Sequence, residues 1–160
     1  MRTVICPHPG RLDIRSVDTP RPLAGEVLVQ VRSCGICGSD LHYFHGNFTP
    51  PEVCPGHEIS GQVVECHPDV TDVALGTRVA VEPIAACRAC WHCRSGQYNL
   101  CKNLQIFGKM RDGGFAEYVR VPQYALHPLP ATVDDEVGAL TEPLAVNVHG
   151  VRVGGVSIGD

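Results

Sequence analysis

The chain has 160 residues, of which 44% are hydrophobic and 19% charged, a composition that predicts one globular domain and excludes global disorder. Its formal net charge is −4, so it lacks the basic field that attracts nucleic acid. Residues 1–10 contain no apolar run long enough for a signal peptide or a membrane span, and we expect a cytoplasmic protein without a membrane partner.

The first two thirds of the chain are predicted to be mainly β. Glycines and prolines are spread without period, 17 and 13 in number, and they separate short segments rich in β-branched residues. Six such segments predict strands: Val4–Cys6, Leu12–Val17, Glu26–Arg32, Ile59–Glu65, Arg78–Val81 and Phe115–Val121.

Two segments carry helix signals. Residues Ser39–Phe44 favour a short helix with Ser39 or Asp40 near its start. Near the C-terminus, Thr141 is expected to cap a second helix with Pro143 in its first turn. Apolar residues of that segment recur with helical spacing: Leu144, Val148 and Val151. The 160 residues contain no G-x-G-x-x-G stretch, so a dinucleotide-binding fold is not expected within them.

The most specific motif is a C-x2-C-x2-C-x7-C run formed by Cys87, Cys90, Cys93 and Cys101. Four thiolates complete the tetrahedral shell of zinc, and such short spacings let one loop supply all of them. Scattered core cysteines and disulfides are the alternatives. Core cysteines would lie among apolar residues, whereas Arg88, His92 and Arg94 lie between these four, and nothing marks the chain as one of the secreted proteins in which disulfides are common. The run therefore predicts a structural zinc site whose closed shell has no position for substrate.

A second set of possible metal ligands lies upstream. Cys37, His57 and Glu58 offer a thiolate, an imidazole and a carboxylate, and three protein ligands with one open position are typical of catalytic zinc. By residue chemistry alone, a satisfied His–Glu pair is the more common explanation. The other cysteines are interpreted as partly buried, unreactive thiols: Cys6, Cys34, Cys54 and Cys66.

Four motifs follow one another along the chain. They are Cys-Gly-x-Cys-Gly-Ser-Asp-x-His at 34–42, Gly-His-Glu-x-x-Gly at 56–61, the four-cysteine run, and Gly-Gly-Phe-Ala-Glu-Tyr at 113–118. In order and spacing they resemble the medium-chain zinc-dependent alcohol dehydrogenases. Thr-Glu-Pro-Leu-Ala at 141–145 is most similar to the polyol branch typified by sorbitol dehydrogenase, whereas the ethanol-type branch usually has Cys in place of Glu142. His67 and Thr77 depart from the family pattern at predicted turns.

The resemblance implies a mainly β fold with a few short helices, a GroES-like β-barrel catalytic domain. This domain is expected to span residues 1–160, with 142–160 forming the connecting helix toward a nucleotide-binding domain. The Rossmann domain that normally follows is absent from this chain.

The resemblance also implies roles for individual residues. Cys37 and His57 match ligands of the catalytic zinc, and Glu58 and Glu142 match carboxylates that bind the metal or lie beside it. Asp40 matches the carboxylate that orients the zinc-bound imidazole. Ser39 and His42 match the residues of a proton relay. Glu58 is also predicted to be a catalytic residue. Tyr43 matches a residue that lines the substrate pocket.

Each of these residues also has a structural explanation. Ser39 and Asp40 could cap the short helix, and Glu142 could complement a helix dipole. His42 could be an exposed histidine, and Tyr43 could serve packing.

The predicted function is that of the catalytic portion of a zinc-dependent NAD or NADP oxidoreductase acting on the CH–OH group of a polyol, sugar acid or other secondary alcohol. Two zinc ions per chain are expected, and the chain is expected to be inactive in isolation. In the complete enzyme the family implies a homo-oligomer and a small-molecule alcohol substrate. The alternative is a non-catalytic module in which zinc serves folding or partner binding; a zinc-ribbon nucleic-acid binder is disfavoured by the acidic charge.

Overall fold

The computed structural model describes residues 1–157 and 159. Each of the six predicted strands has a counterpart in it, and short additional elements join them. The strands are β1 (Arg2–His8), β2 (Arg11–Ser16), β3 (Glu26–Gly35), β4 (Glu58–Cys66), β5 (Arg78–Val81), β6 (Ile84–Ala85), β7 (Gln105–Ile106), β8 (Tyr118–Pro122) and β9 (Leu126–Pro128). The helices are α1 (Gly38–His45), α2 (Trp91–Arg94), α3 (Asp135–Ala139) and α4 (Thr141–Gly154), with 3-10 turns at Tyr98–Leu100 and Gln123–Ala125.

The central feature is a five-stranded antiparallel sheet in the order β8-β3-β4-β5-β9. Alternate residues of its strands point to one side and are almost completely buried, as expected for strands in which valine occupies every second position. Phe107, from the loop after β7, joins them. The core of this side contains Val27, Val29, Ile59, Val63, Val79, Val119, Val121 and Phe107.

The last predicted strand begins three residues later than expected, at Tyr118 instead of Phe115. The preceding residues instead bond to the N-terminal hairpin formed by β1 and β2. The backbone N–H of Val4 donates to the carbonyl of Phe115 over 2.8 Å, and that of Glu117 donates to the carbonyl of Arg2 over 3.1 Å. Their hydrogen bonds thus connect the hairpin to the main sheet.

The two departures from the family pattern lie in the turn between β4 and β5. His67 Nδ1 is 2.6 Å from the carboxylate of Asp69, and the Thr77 hydroxyl donates to the carbonyl of Ala74 over 2.7 Å. Both strands nevertheless have regular ends, since β4 stops at Cys66 and β5 starts at Arg78.

The predicted cap of the last helix is wrong by one residue. Thr141 is the first residue of α4, and Leu140 occupies the N-cap position without a side-chain bond, because α3 ends there and the chain turns directly into α4. The apolar residues at 144, 148 and 151 are exposed in the described chain. Residues 158 and 160 of the predicted connecting segment lie outside the described residues. None of the described helices is long and apolar enough to cross a lipid bilayer.

A largely buried ion pair ties the start of β3 to the loop before β8. Arg111 donates to Glu26 over 2.7 Å, and the two side chains are 18% and 12% exposed. A second pair, between Arg2 and Glu117, has a similar distance of 3.0 Å but is much more exposed, at 73% and 41%. The buried carboxylate of Glu26 also lies 3.7 Å from Arg120, so the two pairs differ in solvent screening and in this second cation.

We expect Arg111→Met to lower the free energy of unfolding by about 2 kcal/mol, because it removes the nearer of the two cations that contact the buried Glu26 carboxylate and leaves only Arg120. Arg2→Met is the matched control and should cost less than about 1 kcal/mol. Urea unfolding followed by circular dichroism measures both. Equal losses for the two variants would contradict the role given to burial.

Candidate metal centres

The pairing of β3 with β4 brings together residues that are twenty positions apart in the chain. Its last pair joins Gly35 to Glu58, so the end of β3 lies beside the start of β4. Cys37 follows β3 by two residues, and His57 immediately precedes β4. The Sγ, imidazole nitrogen and carboxylate oxygen of Cys37, His57 and Glu58 all lie within 4.8 Å of one another. A sulfur, a nitrogen and an oxygen at these separations fit the ligand shell of one zinc ion.

Gly35 allows the Glu58 carboxylate to reach this position. A Cβ at residue 35 would collide with Oε2 of Glu58 and lie 3.1 Å from its Cβ. Glu58 is buried, so its carboxylate has little room to move aside. The absence of a side chain at Gly35 is therefore a condition for the ligand geometry.

The segment before His57 is held by backbone contacts. Gly56 has a φ of +93°, and a Cβ there would lie 2.7 Å from the ring of Phe115. The N–H of Gly114 donates to the carbonyl of Gly56 over 2.8 Å, and the N–H of Phe115 donates to the carbonyl of Pro55 over 3.0 Å. The Gly-Gly-Phe motif at 113–115 thus fixes the loop that presents His57.

Asp40 caps the helix that carries Cys37 at its N-cap. Its Oδ2 accepts the backbone N–H of Cys37 over 2.9 Å, as expected for a carboxylate in the first helical turn. Burial raises the pKa of Asp40, while the N–H of Cys37, the imidazole of His57 and the N–H of Gly56 act in the opposite direction. Asp40 therefore lies close to the His57 ring, and its hydrogen bond to the backbone supports the capping explanation as well.

Glu142 reaches the same region from the far end of the chain. Helix α3 is anchored on the sheet by an ion pair of 2.9 Å between Arg78 and Asp135 and by the hydroxyl of Ser60, which donates to the carbonyl of Asp135. Burial raises the pKa of Glu142, the nearby His57 lowers it, and Glu58 raises it further. Glu142 is thus near both residues, although it lies outside the compact group of three ligands.

A cavity of about 540 Å³ opens beside the three-ligand group, within the range of small-molecule sites. His57, Ser39 and Tyr43 all line it. Burial raises the pKa of Tyr43, and the charge of Asp40 adds to the effect, so the phenol stays protonated and able to donate. The complete lining is Ser39, Tyr43, Phe48, Thr49, Pro51, His57, Ile106, Phe107, Gly108 and Lys109.

His42 lies one helical turn beyond Ser39 but is not part of the cavity lining. Its Nδ1 is 3.0 Å from the side-chain amide nitrogen of Asn47, and its ring packs against Phe48 at 5.0 Å. No hydrogen bond joins Ser39 to His42 within the described chain. The structure therefore places the two predicted relay residues on the same helix without a direct link.

The four-cysteine run forms a second compact centre. The sulfurs of Cys87, Cys90, Cys93 and Cys101 lie within 4.8 Å of one another, and no disulfide joins them. Backbone N–H groups of Cys87 and Asn103 both point at the Cys101 sulfur over 3.3 Å.

These N–H groups favour negative charge on sulfur. Donors from the backbone of Cys93 and Lys102 lower the pKa of Cys90 to about 6. Cys93 responds in the opposite direction, since burial and hydrogen bonds with the neighbouring thiols raise its pKa to about 12. Four sulfurs that compete for protons in one small volume fit a thiolate-binding metal such as zinc.

The loop that carries these cysteines is attached to the barrel through Arg88. Its φ of +57° is unusual for a residue with a side chain. Its guanidinium carbon lies 4.9 Å from the ring centre of Tyr98 and 4.2 Å from that of Tyr124, which bonds in turn to the carbonyl of Ala86 over 2.6 Å. A cation between two aromatic rings therefore helps hold the turn between the first two cysteines.

The structure adds residues that sequence reasoning missed. Phe48, Ile106 and Lys109 line the cavity, although they lie outside the four motifs. Burial and the nearby Asp40, Cys54 and Glu58 raise the pKa of Cys34 to about 12, which is consistent with an unreactive thiol. No local pattern identifies these neighbours, because each depends on contacts between distant segments.

Gly35→Ala is expected to remove one zinc ion, because the new Cβ displaces the Glu58 carboxylate. Elemental analysis should find about two ions in the unmodified chain and about one in the variant. Gly38→Ala is the matched control, since a Cβ there meets nothing within 4 Å. Retention of both ions by a folded Gly35→Ala protein would show that Glu58 is not required as a ligand.

Cys90→Ser tests the other centre. It should lose one zinc ion and lower the melting temperature, because a closed four-thiolate shell stabilises its loop directly. Cys66→Ser is the control, a half-buried cysteine outside both centres, and it should keep both ions. Normal zinc content in Cys90→Ser would argue against a metal at this site.

Comparisons with known proteins identify the family of the chain. Residues 23–131 match the family model described as the alcohol dehydrogenase GroES-like domain. L-galactonate-5-dehydrogenase of Escherichia coli K12 is 37% identical over 163 aligned positions, covering 100% of this chain and 47% of the relative. Sorbitol dehydrogenase of Halalkalibacterium halodurans is 39% identical, covering 94% and 45%. The chain thus spans about half the length of these curated relatives.

A solved structure gives the same result for the fold. A short chain alcohol dehydrogenase from Escherichia coli CFT073, crystallised with the cofactor NADH, superposes with a TM-score of 0.90 at 34% identity. The match covers 100% of this chain and 47% of that one. The mainly β, GroES-like fold is confirmed, and the chain belongs to the alcohol dehydrogenase family that carries this GroES-like domain.

Proposed function

We propose that this chain is the metal-bearing catalytic part of a zinc-dependent NAD(P) oxidoreductase that acts on the CH–OH group of a polyol, a sugar acid or another secondary alcohol. One observation carries the proposal: Cys37, His57 and Glu58 offer three different zinc ligands within 4.8 Å, and His57 also lines a cavity of about 540 Å³. The donor set fits one ion with a position left for a substrate oxygen.

Cys37, His57 and Glu58 would hold that ion. Bound zinc supplies Lewis acidity, which lowers the pKa of an alcohol hydroxyl. Glu142 lies near His57 and Glu58 without joining the compact group, so we assign it to the surroundings of the ligands. Asp40 holds the backbone of Cys37 and lies near His57, which keeps two ligands in register.

Ser39 is the group best placed to handle the hydroxyl proton of the substrate, because it lines the same cavity as His57. His42 would take the proton onward. The amide nitrogen of Asn47 can only donate, so Nδ1 of His42 accepts and the proton of the neutral ring is on Nε2. Because Nδ1 is then the only acceptor of the ring, the relay needs the hydrogen bond to Asn47 to break, as well as one bridging water or a side-chain rotation between Ser39 and His42.

The remaining walls of the cavity would position the substrate. Phe48, Ile106 and Phe107 give apolar surface that excludes water, and Tyr43 offers a protonated phenol as a donor to a second hydroxyl. Several hydroxyls on neighbouring carbons match such a mixed lining. L-galactonate-5-dehydrogenase and sorbitol dehydrogenase, two of the relatives, are named for polyhydroxylated substrates.

We assign a purely structural role to the four-cysteine centre, since a closed thiolate shell has no position for an alcohol. The nicotinamide cofactor carries the hydride chemistry in such enzymes. Because these 160 residues contain no G-x-G-x-x-G stretch, we propose that they do not bind NAD(P) by themselves.

Two measurements test this function. With NAD⁺ and a panel of polyols and sugar acids, the zinc-loaded chain alone is expected to give no steady formation of NADH. Turnover that depends on this chain alone would overturn the proposed dependence on a separate nucleotide site.

The second measurement uses Co²⁺ in place of zinc, since its visible absorption responds to changes in ligands. Sorbitol should shift the spectrum of the unmodified chain, whereas His57→Ala should abolish the shift. Cys90→Ser, which affects the other centre, should retain it. A spectrum that no alcohol perturbs would favour a non-catalytic zinc module.

A further inference from the structure

The lining of the cavity beside His57 includes one exposed lysine. This residue is Lys109, and the described part of the chain places no carboxylate within ion-pair distance of this lysine. The residues lining the cavity include no Asp or Glu. By contrast, the arginines at positions 78 and 111, on either side of the cysteine loop, are both paired.

The turn that presents Lys109 is well fixed. The carbonyl of Ile106 accepts N–H groups from Lys109 over 3.2 Å and from Met110 over 2.9 Å. Phe107 is fully buried, and the Arg111 guanidinium lies 4.8 Å from the centre of its ring. The turn at residues 107–110 is therefore held at its start by the buried Phe107 and at its end by the ion pair of Arg111.

The same turn packs against the segment that carries His57. Gly108 packs directly on Gly56, where a Cβ at residue 108 would lie 2.8 Å from the backbone nitrogen of Gly56. Gly56 immediately precedes His57, and Gly108 immediately precedes Lys109. The contact between the two glycines therefore fixes the backbone of Lys109 relative to the three-ligand group. The lysine stem is flexible, but its anchor is fixed relative to the metal centre.

From this arrangement we propose that the cavity is built for an anionic polyhydroxylated substrate, whose carboxylate or phosphate group pairs with Lys109 while a hydroxyl faces His57. The inference rests on the proposed function and narrows its substrate class from polyols, sugar acids and other secondary alcohols to polyhydroxylated anions. The flexible stem of this exposed lysine can bring its ammonium group to a ligand in the cavity, and such a point charge suits either kind of anion. The cavity volume accommodates a six-carbon chain that bears such a group.

The proposal is tested with three matched six-carbon ligands: sorbitol, which is neutral, gluconate, which carries a carboxylate, and sorbitol 6-phosphate. Dissociation constants are measured by titration of the metal-loaded chain, with calorimetry or the Co²⁺ spectrum as the readout. We expect one or both anions to bind at least about tenfold more tightly than sorbitol, as for a charge-assisted hydrogen bond. The stronger of the two anions identifies the preferred group.

Three variants separate Lys109 from other sources of anion affinity. Lys109→Met should remove the preference for the two anions over sorbitol, and Lys109→Arg should restore most of that preference. Lys102→Met is the matched control, because Lys102 is the other lysine of the chain and does not line the cavity. It should change none of the three constants.

Each outcome decides between the two proposals. If sorbitol binds and the anions bind no better, the substrate inference fails while the proposed function stands. An anion preference that persists in Lys109→Met would assign it to the metal alone and overturn the role of the lysine. If none of the three ligands binds or perturbs the Co²⁺ spectrum, both proposals fail together.

Discussion

The antiparallel pairing of β3 with β4 determines where every proposed ligand of the first metal centre lies. The two strands do not pair uniformly, because Val64 is an extra residue in β4 and Arg32 is an extra residue in β3. The two bulges compensate each other, so that the pairing ends with Gly35 opposite Glu58. A slip of one residue would turn Glu58 to the opposite face of the sheet and remove its carboxylate from Cys37 and His57. The backbone register is thus the first requirement for the site.

Close contacts between other backbone segments hold His57 and the cavity wall in place beside the paired strands. The loop before His57 is held by the N–H groups of Gly114 and Phe115, and the turn before Lys109 packs on Gly56. These approaches are too close for side chains, which explains why the motifs are rich in glycine even where φ is ordinary. The glycines do no chemistry, but the relative placement of imidazole, carboxylate and cavity wall depends on them.

Much of this architecture could be predicted from the sequence, and the limits have physical causes. The strands with alternating valines were predictable because burial on one face imposes period 2, and the four-cysteine centre because all its ligands come from one loop. Short elements such as β6, β7 and α3 carry no periodic signal of their own. The start of β8 was placed too early because Phe115 and Glu117 bond to β1 instead, which is a contact over more than a hundred residues.

The neighbourhood of His57 shows the same limit for the site. Family motifs pointed to Glu142, but its proximity depends on α3, which Arg78 and Ser60 hold against the sheet. The lysine of the cavity was not identified, because nothing local to residues 105–111 distinguishes it from an ordinary exposed lysine. A metal centre can therefore be predicted from the spacing of its ligands when one loop supplies all of them. It cannot be predicted in this way when strand pairing brings ligands together from distant segments.

The two centres also differ in how the protein treats negative charge, and this difference supports their separate roles. Around the four cysteines, backbone N–H groups point at sulfur and favour thiolates, so much of the stabilisation is built into the loop. Around His57, burial raises the pKa values of Asp40 and Glu142, although the N–H groups of Cys37 and Gly56 oppose the shift at Asp40. The centre at His57 lies beside a cavity and is therefore suited to chemistry at a bound ion, whereas the four-cysteine centre, whose ligands all come from one loop, is suited to stabilising the fold.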